Sequence, residues 1–365
     1  MKPFSPLYFI KQNKARCAVL IGMIFLSFAV YLAGLYIMNV GTSFEDFGTE
    51  FYKSAVFLQL KARDEASMEG YEAAKEAVSE KDGVRLLELG WNNSVTVESI
   101  MGFTVGYQQV TFLSIEDFKM FCRLSGVECD FTKLGSKSVI MSERLAKNLG
   151  VTVGDVLTPE EYSGLLEPFT LDAVTGQSTY TAYYISEGAQ VGNHLILNEE
   201  LGSEEFADYL EQLQEQYPVK IHGKDEDLAE IDRTFSFLPR IYILVLILVA
   251  VIMAVTVNAV FVGVYQGRSF EFAVYRAIGM GKRKITGKII GELLWMEGIA
   301  LAAGGIIFFL GLYLLNNLCL YPKGKYLEYY NGVALFGFVL CNVIILIPLM
   351  ITRCRQMHKA DICAY

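Results

Sequence analysis

Charge is missing from long parts of this 365-residue chain, and these gaps are its most informative feature. The first 40 residues contain no acidic residue, and residues 241–267 contain no charged residue of either sign. A helix of that second length is about 40 Å long, which exceeds the roughly 30 Å hydrocarbon core of a bilayer. The segment can therefore cross a membrane with some tilt, which excludes an ordinary water-soluble protein.

The motifs of common enzyme classes are missing as well. The acidic middle of the chain has only two histidines, His194 and His222, and no GxSxG, HExxH or cysteine-histidine cluster. Each Gly-Lys pair lacks the Ser or Thr and the upstream glycine of a phosphate-binding loop. We therefore predict no catalytic residue, no metal site and no cofactor on this chain, and a membrane-anchored enzyme is the least favoured interpretation.

Acidic residues are concentrated in the middle of the chain. Residues 41–239 contain 35 Asp or Glu against 15 Lys or Arg, which argues against binding of nucleic acid or anionic lipid there. Short strand-like runs alternate with helical pieces and predict an α+β domain. Residues 49–82 have helical spacing, while Ser142 and Gly150 suit the two ends of a short helix.

Two cysteines in this acidic part stand in the segment CRLSGVEC. If the domain lies outside the cell, Cys122 and Cys129 are a candidate disulfide. Two unpaired thiols are an equally good interpretation, and the sequence leaves both open.

The flanking charges predict the topology. A loop after residue 267 holds six basic residues and one acid, which is typical of the cytoplasmic side; these are Arg268, Arg276, Lys282, Arg283, Lys284 and Lys288, with Glu271. Both termini are also basic, so we predict four transmembrane α-helices with both ends inside. The predicted membrane helices are 17–43, an uncleaved signal-anchor, and 241–267, 293–321 and 331–352. The predicted cytoplasmic parts are the segment 1–16, the loop 268–292 and the tail 353–365. Outside the membrane we predict the α+β domain with stalk helices 44–235 and a short outer loop 322–330.

Three stretches resemble one family. The segment from NAVFVGVYQG to GGIIFFLG resembles the permease core of FtsX/MacB-type ABC transporters, including an R-x-x-E motif followed by R-A-I-G; the matching residues are Arg268, Glu271, Arg276, Ala277, Ile278, Gly279, Glu297, Gly304 and Gly305. VIMSERLAKNLGVTVGDVL is similar to the MacB-like extracytoplasmic domain, and NKARCAVLIGMIFLSF to the entry of the first helix. Phe272 and Tyr275 depart from the smaller aliphatic or basic residues usual at their positions.

The resemblance implies that this chain is a permease subunit in a bacterial cytoplasmic (inner) membrane. ATP and Mg²⁺ would be bound by a separate cytoplasmic ABC ATPase. A second permease copy or a paralogue would complete a dimer in the lipid bilayer, with an extracytoplasmic accessory protein as a further candidate partner and no nucleic acid.

The segment 269–279 is the candidate contact with that ATPase. Phe270, Val274, Ala277 and Ile278 fall on one helical side, as in an amphipathic helix that fits a groove. An interfacial helix lying on lipid headgroups is the alternative, and the resemblance favours coupling. The full predicted coupling set is Arg268, Ser269, Phe270, Glu271, Val274, Arg276, Ala277, Ile278 and Gly279.

Polar and small residues inside the predicted spans indicate helix contacts. Glu292 is expected to pair with Lys288 or with a helix N-terminus, and Glu297 to contact another helix or subunit. The predicted set for helix packing or a dimer interface is Asn258, Gly263, Gly267, Glu297, Gly304 and Gly305.

The favoured function is mechanotransmission, in which ATP hydrolysis moves the extracytoplasmic domain to export or extrude a peptide, lipid or other amphiphile. The alternative is a transmembrane force transmitter that transports nothing and activates a cell-wall hydrolase or a sensor.

Overall fold

The computed structural model describes residues 14–52, 55–100, 102, 104–106, 109–177 and 179–359. Most of the predicted segment 1–16 and the end of the predicted tail 353–365 therefore lie outside the described residues. The helices are α1 Lys14–Phe51, α2 Glu65–Glu80, α3 Ile115–Ser125, α4 Glu143–Leu149, α5 Ser203–Gln216, α6 Lys224–Phe235, α7 Phe237–Gln266, α8 Ser269–Ala277, α9 Lys282–Leu315 and α10 Gly332–Lys359.

The chain divides into two compact units. One, here called the membrane unit, consists of Met1–Asn39, Phe237–Leu315 and Leu327–Tyr365. The other, here called the sheet unit, consists of Val40–Ser236 and Asn316–Tyr326. The chain therefore passes between the units four times, and the connection between α9 and α10 contributes to the sheet unit.

Four helical segments among the described residues are long and apolar enough to cross a membrane. They are Ile21–Asn39, Lys224–Gln266, Lys282–Lys323 and Gly332–Met357. The prediction of four transmembrane helices is thus confirmed. The third helix begins at Lys282, so the basic cluster forms its first turns instead of a loop, and regular α-helix ends at Leu315, where a wider turn (Asn316–Leu320) and a 3₁₀ turn (Tyr321–Lys323) follow.

The membrane unit has one apolar core to which all four long helices contribute. Phe28 of α1, Met253 of α7, Ile289 of α9 and Cys341 of α10 are buried in it. The many large apolar residues of α7 and α9 that stay outside this core are the surface expected to face acyl chains.

The sheet unit confirms the predicted α+β class. In its described residues nine strands form one mixed sheet in the order β11-β1-β10-β2-β5-β9-β6-β8-β7, and β3 and β4 form a separate hairpin. The strands are β1 Ala55–Leu60, β2 Val84–Gly90, β3 Thr96–Glu98, β4 Thr104–Gly106, β5 Val110–Phe112, β6 Ser138–Ser142, β7 Val156–Leu157, β8 Phe169–Thr175, β9 Ala182–Ile185, β10 Val191–Asn198 and β11 Val219–His222. Pairs β5–β9 and β6–β8 are parallel, and the others are antiparallel.

Both faces of this sheet are covered. Phe57 and Tyr183 belong to a core shared with α3. The next residue along each strand belongs to another core: Leu58 packs with α2 and α5, and Tyr184 packs with α4. Because alternate side chains on one strand point to opposite faces, strands covered on both sides are apolar throughout. This explains why β6 and β9 are buried at every position.

The helix predicted over 49–82 is wrong in its first half. Residues 49–51 are the end of α1, Ala55–Leu60 is strand β1, and the next helix is Glu65–Glu80, which begins where Asp64 accepts a 2.7 Å hydrogen bond from Ser67 N. β1 pairs with β10 and β11, which are far away in sequence, so tertiary pairing overrides the local helical spacing. The predicted ends of α4 are confirmed: Ser142 caps its start, and Gly150 with φ +72° ends it.

The disulfide considered from the sequence is not formed. Cys122 and Cys129 are free thiols in the structure. Cys122 is buried among the side chains of the α3 core, where burial raises the pKa of its thiol, and burial raises the pKa of Cys129 to about 11. Both thiols therefore stay protonated at neutral pH and behave as small apolar side chains.

Candidate functional site

The short helix α8 presents an apolar stripe to its surroundings. Phe270, Val274 and Ile278 are 65%, 42% and 68% exposed, and Ala277 is exposed beside them. The opposite side, with Phe272 and Ala273, is buried in the membrane unit. These four exposed residues are the ones that the sequence spacing placed on one side of the helix. We call them the α8 stripe.

Behind the stripe, one arginine joins α8 to α9. Arg268 binds two carboxylates at once: Nε and Nη2 donate to Glu271 at 2.8 and 3.1 Å, and Nη1 and Nη2 donate to Glu292 at 2.7 and 3.1 Å. Lys288 Nζ also contacts the carboxylate of Glu292, at 3.1 Å from its Oε1. We call Arg268, Glu271, Glu292 and Lys288 the arginine clasp.

Three of the four clasp side chains are largely withdrawn from water, while that of Glu271 is 36% exposed. The side chains of Arg268, Lys288 and Glu292 are 10%, 7% and 0% exposed. The Arg268 guanidinium carbon lies 5.4 Å from the centre of the Tyr265 ring and 5.0 Å from that of Phe272. Two cations thus face two carboxylates between aromatic rings, where such contacts are much stronger than on a surface.

Arg268 and Glu271 keep their charges near neutral pH, because each shifts the pKa of the other away from neutrality. Burial lowers the pKa of Arg268, but contact with Glu292 and Glu271 outweighs burial and raises that pKa above its ordinary value. Burial likewise raises the pKa of Glu271, but hydrogen bonds from Arg268 and from Tyr275, 2.8 Å away, hold it below its usual range. Burial and this same carboxylate raise the pKa of Tyr275 to about 12.

A second contact fastens α8 to α10. Arg276 Nη2 donates to the carbonyl oxygen of Met357 at 2.7 Å. Gly279, with φ +86°, then turns the chain into α9, a backbone conformation in which a residue with a Cβ is strained. Through Arg268 and Arg276, the helix is held to both of the long helices that follow it.

Asn258 makes the interhelical amide contact for which it was considered. Its Oδ1 accepts hydrogen bonds of 2.7 Å from Thr352 Oγ1 and from Arg353 Nη2, both on α10. Arg353 is 2% exposed and also donates to Gln356. This network joins α7 to α10 across 94 positions of the sequence, whereas the arginine clasp joins the consecutive helices α8 and α9.

The predicted glycines have different surroundings. A Cβ on Gly304 would lie 2.5 Å from the Phe28 ring, so α9 approaches α1 closely there, and Gly305 stands at the same contact. A Cβ added to Gly263 would meet no atom within 4 Å, and Gly267 is exposed. Glu297 is 7% exposed, and no described residue forms an ion pair or hydrogen bond with it.

Sequence reasoning missed a second polar site, in the sheet unit. The carbonyl oxygen of Gly324, on the α9–α10 connection, accepts hydrogen bonds from Arg144 Nε at 3.2 Å and from the Tyr180 hydroxyl at 2.8 Å. Lys325, 7% exposed, lies 3.1 Å from Glu98. The sequence PKGK at this connection indicates a turn. The residues that bind Gly324, Arg144 and Tyr180, are far away along the chain, so no local pattern could reveal the site.

Comparison with known families identifies the region that contains the clasp and the α8 stripe. Residues 242–359 match the family model described as FtsX-like permease C-terminal. This chain carries an FtsX-like permease domain. That domain comprises most of α7, the whole of α8 and α9, and α10, so the predicted coupling residues and the Asn258 network all fall inside it.

Outside the FtsX-like domain the comparisons are weaker. The extracellular domain of the noncanonical ABC-type transporter YknZ from Gram-positive bacteria is similar at 11% identity and a TM-score of 0.29, over 46% of this chain and 100% of that chain. A score this low supports no argument about fold or function. No curated protein sequence matches the chain.

Proposed function

We propose that this protein is the permease subunit of an ABC-type transporter complex of the mechanotransmission type. A separate cytoplasmic ATPase hydrolyses ATP and pushes on α8. The resulting movement of the membrane helices drives the sheet unit, on the far side of the membrane, to extrude a peptide, lipid or other amphiphile. The supporting observation is the α8 stripe, an apolar surface of an FtsX-like domain that stands exposed on a rigidly anchored helix.

The anchoring suits a helix that receives a force. A short helix attached only by its two ends would tilt under load, and its motion would be dissipated locally. Here Arg268 ties α8 to α9 through Glu292, and Arg276 ties it to α10. A displacement of α8 must therefore carry both long helices with it or break buried charge-assisted hydrogen bonds.

The charge around α8 supports the proposed side of the membrane. Lys282, Arg283 and Lys284 in the first turn of α9 are exposed next to the stripe. Clusters of basic residues beside a membrane span are typical of the cytoplasmic side, where an ATPase would find them. Both ends of the chain would then lie in the cytoplasm of a bacterium and the sheet unit outside it.

A second permease subunit completes the proposed complex. The Gly263–Gly267 surface of α7 is open, and small residues on an open face allow another helix to approach closely. Glu297, buried and without a polar partner among the described residues, is the candidate for an inter-subunit contact. An accessory protein bound outside the cell is compatible with this arrangement.

Co-purification of an ATPase tests the proposal. The tagged full-length chain is purified from membranes of its host, and vanadate-sensitive ATP hydrolysis is measured in the eluate. In the variant Phe270→Asp with Ile278→Asp, we expect roughly a tenfold or greater loss of co-purified activity, because two charges would be placed on the apolar contact surface.

The matched control is Leu166→Asp, which places the same charge on a residue that is 66% exposed in the sheet unit. This variant should keep its ATPase. Equal hydrolysis in the stripe variant and the control would remove α8 as the coupling surface and would leave it as a helix on lipid headgroups.

The alternative function is force transmission without transport. It is distinguished from extrusion by the kind of molecule that stimulates ATP hydrolysis. Stimulation of the purified complex by an added amphiphilic peptide or lipid supports extrusion. Stimulation only by a bound cell-wall hydrolase or sensor supports the alternative.

A further inference from the structure

The sheet unit contains a cleft that the proposed function does not use. It has a volume of about 700 Å³ and lies between the first half of α2, the end of β1 and the start of β10. Its lining is formed by Leu58, Gln59, Leu60, Glu65, Met68, Glu69, Tyr71, Glu72, Lys75, Val191, Gly192, Asn193 and His194.

The most informative residue in the lining is His194. Its side chain is 7% exposed, and its Nε2 has no hydrogen-bond partner among the described residues. A buried polar atom without a partner costs about 1–3 kcal/mol, so such atoms are rare in native proteins and each one requires an explanation. The carboxylate of Glu88 lies 3.9 Å from this nitrogen.

The hydrogen bonds around His194 define what Nε2 can accept. The Tyr71 hydroxyl lies 3.2 Å from the carbonyl oxygen of Leu58, to which it donates, and 2.8 Å from His194 Nδ1. A phenol has one proton, and we assign it to the contact with Leu58, so that the phenol oxygen accepts the Nδ1 proton of the imidazole. The proton is then on Nδ1, and Nε2 presents a lone pair that requires a donor.

The imidazole is kept neutral. Burial, and secondarily the nearby charge of Lys75, lowers the pKa of His194, while Glu88 and Glu72 oppose this effect. A neutral ring with a free lone pair accepts a hydrogen bond from a cation and has no proton on Nε2 to offer to an anion.

The rest of the lining combines negative charge with apolar surface. Lys75 is already paired with Glu72 at 2.6 Å, whereas Glu65 and Glu69 have no cationic partner among the described residues. Met68 and Leu60 are 58% and 41% exposed on the walls of the cleft. A ligand that matches this lining carries a positive charge with N–H donors and an apolar group.

We propose that the cleft binds an organic ammonium group attached to an apolar chain or ring. The ammonium donates to the lone pair of His194 Nε2 and is attracted by Glu65 and Glu69, while the apolar part packs on Met68 and Leu60. A bare metal ion fits less well, because no three His, Cys, Asp or Glu side chains in the described part of the chain are grouped to hold one. The inference does not depend on the ATPase or on transport.

Histidine-selective NMR provides a direct test. The chain has three histidines, so full-length protein with ¹⁵N-labelled histidine in zwitterionic nanodiscs gives three sets of ring signals, and His194→Gln identifies one. We expect this set to show a protonated Nδ1 and a bare Nε2, and the Nε2 signal to move on addition of phenethylammonium. Neither 2-phenylethanol nor phenylacetate should move it.

Calorimetry tests the acidic residues. Glu65→Gln with Glu69→Gln should weaken phenethylammonium binding roughly tenfold or more, whereas Glu76→Gln, on the same helix but outside the cleft, should not. A parallel titration uses the peptide acetyl-Phe-Lys-Phe-amide. Tighter binding of this peptide than of phenethylammonium indicates a lysine side chain as the source of the ammonium group, and weaker binding indicates a free amine.

The proposal is overturned if phenethylammonium leaves the His194 signals unmoved, if the neutral alcohol binds equally well, or if the Glu65 and Glu69 variant binds as tightly as the unchanged protein. Because no ATPase is present, these results are independent of the co-purification experiment.

Discussion

The membrane unit and the sheet unit are both rich in apolar residues, but they place them differently. In the sheet unit, helices cover both faces of the sheet, and Tyr184 and Phe112 are fully buried. In the membrane unit, Leu244 and Ile306 are 70% and 71% exposed on helices long enough to span a bilayer. The hydrophobic effect can therefore hold the sheet unit together, whereas helices already surrounded by lipid gain little from burying more apolar surface.

What holds the membrane helices to one another must then be partly polar and partly steric. The arginine clasp joins α8 and α9, the Asn258 network joins α7 and α10, and Gly304 lets α9 approach α1. Apolar residues are thus buried inside the sheet unit, whereas many of those in the membrane unit face outward, and the two units depend on different balances of force.

The two tryptophans allow the units to be monitored separately. Trp91 lies on the sheet unit and Trp295 on α9 of the membrane unit. A Trp91→Phe background therefore reports unfolding of the membrane unit by fluorescence, and a Trp295→Phe background reports unfolding of the sheet unit.

The largest effect is expected from Glu292→Gln. This change leaves Arg268 and Lys288 buried with one carboxylate fewer, and removing one partner of a buried ion pair costs about 3–5 kcal/mol. Thermal unfolding in detergent should show a lower midpoint for the Trp295 signal and an unchanged midpoint for the Trp91 signal. Exposed Glu76→Gln is the control, and an unchanged Trp295 midpoint for Glu292→Gln would show that the clasp does not stabilise the membrane unit.

A smaller effect, in the other unit, is expected from Gly324→Ala. A residue with a Cβ at φ +61° costs about 1–2 kcal/mol, and the added methyl group would also stand 2.1 Å from the carbonyl oxygen of Arg144. Gly126→Ala is the matched control, because Gly126 has φ +69° with open space around it. The midpoint of the Trp91 signal should fall further for Gly324→Ala than for Gly126→Ala, and equal shifts would contradict a tight contact at Gly324.

The smallest effect is a pH dependence of the sheet unit. The pKa of His194 is lowered by burial and by Lys75, with Glu72 and Glu88 opposing, so the unfolded chain binds a proton more readily than the folded one. The stability that neutral His194 contributes is fully present above its unfolded pKa of about 6.5 and is lost as pH falls through the lower folded pKa. Urea unfolding followed by Trp91 should therefore give a lower free energy at about pH 5 than at about pH 7.5, and His194→Gln should reduce this difference. A difference of the same size in the variant would assign it to other groups.

Local patterns predicted some of the observed side-chain arrangement, while the coupling role of these residues stays a prediction. The period of Phe270, Val274, Ala277 and Ile278 predicted an apolar side on α8, and these are the residues that the structure exposes. Lys288 and Glu292 stand one helical turn apart, so their pairing was also accessible from spacing. The Arg268–Glu292 contact was not predicted, since it spans 24 positions and depends on how the chain turns at Gly279.

The four helices long enough to cross a membrane and the acidic domain between the first two could be predicted from local patterns, because the length of an uncharged run and the segregation of charge are properties of single segments. Three other features became visible only in the folded chain: Ala55–Leu60 is a strand, Arg268 joins two helices, and the Gly324 carbonyl is bound by Arg144 and Tyr180. Each of these depends on a partner distant in sequence, and the energy of a contact is available only when folding brings both partners together.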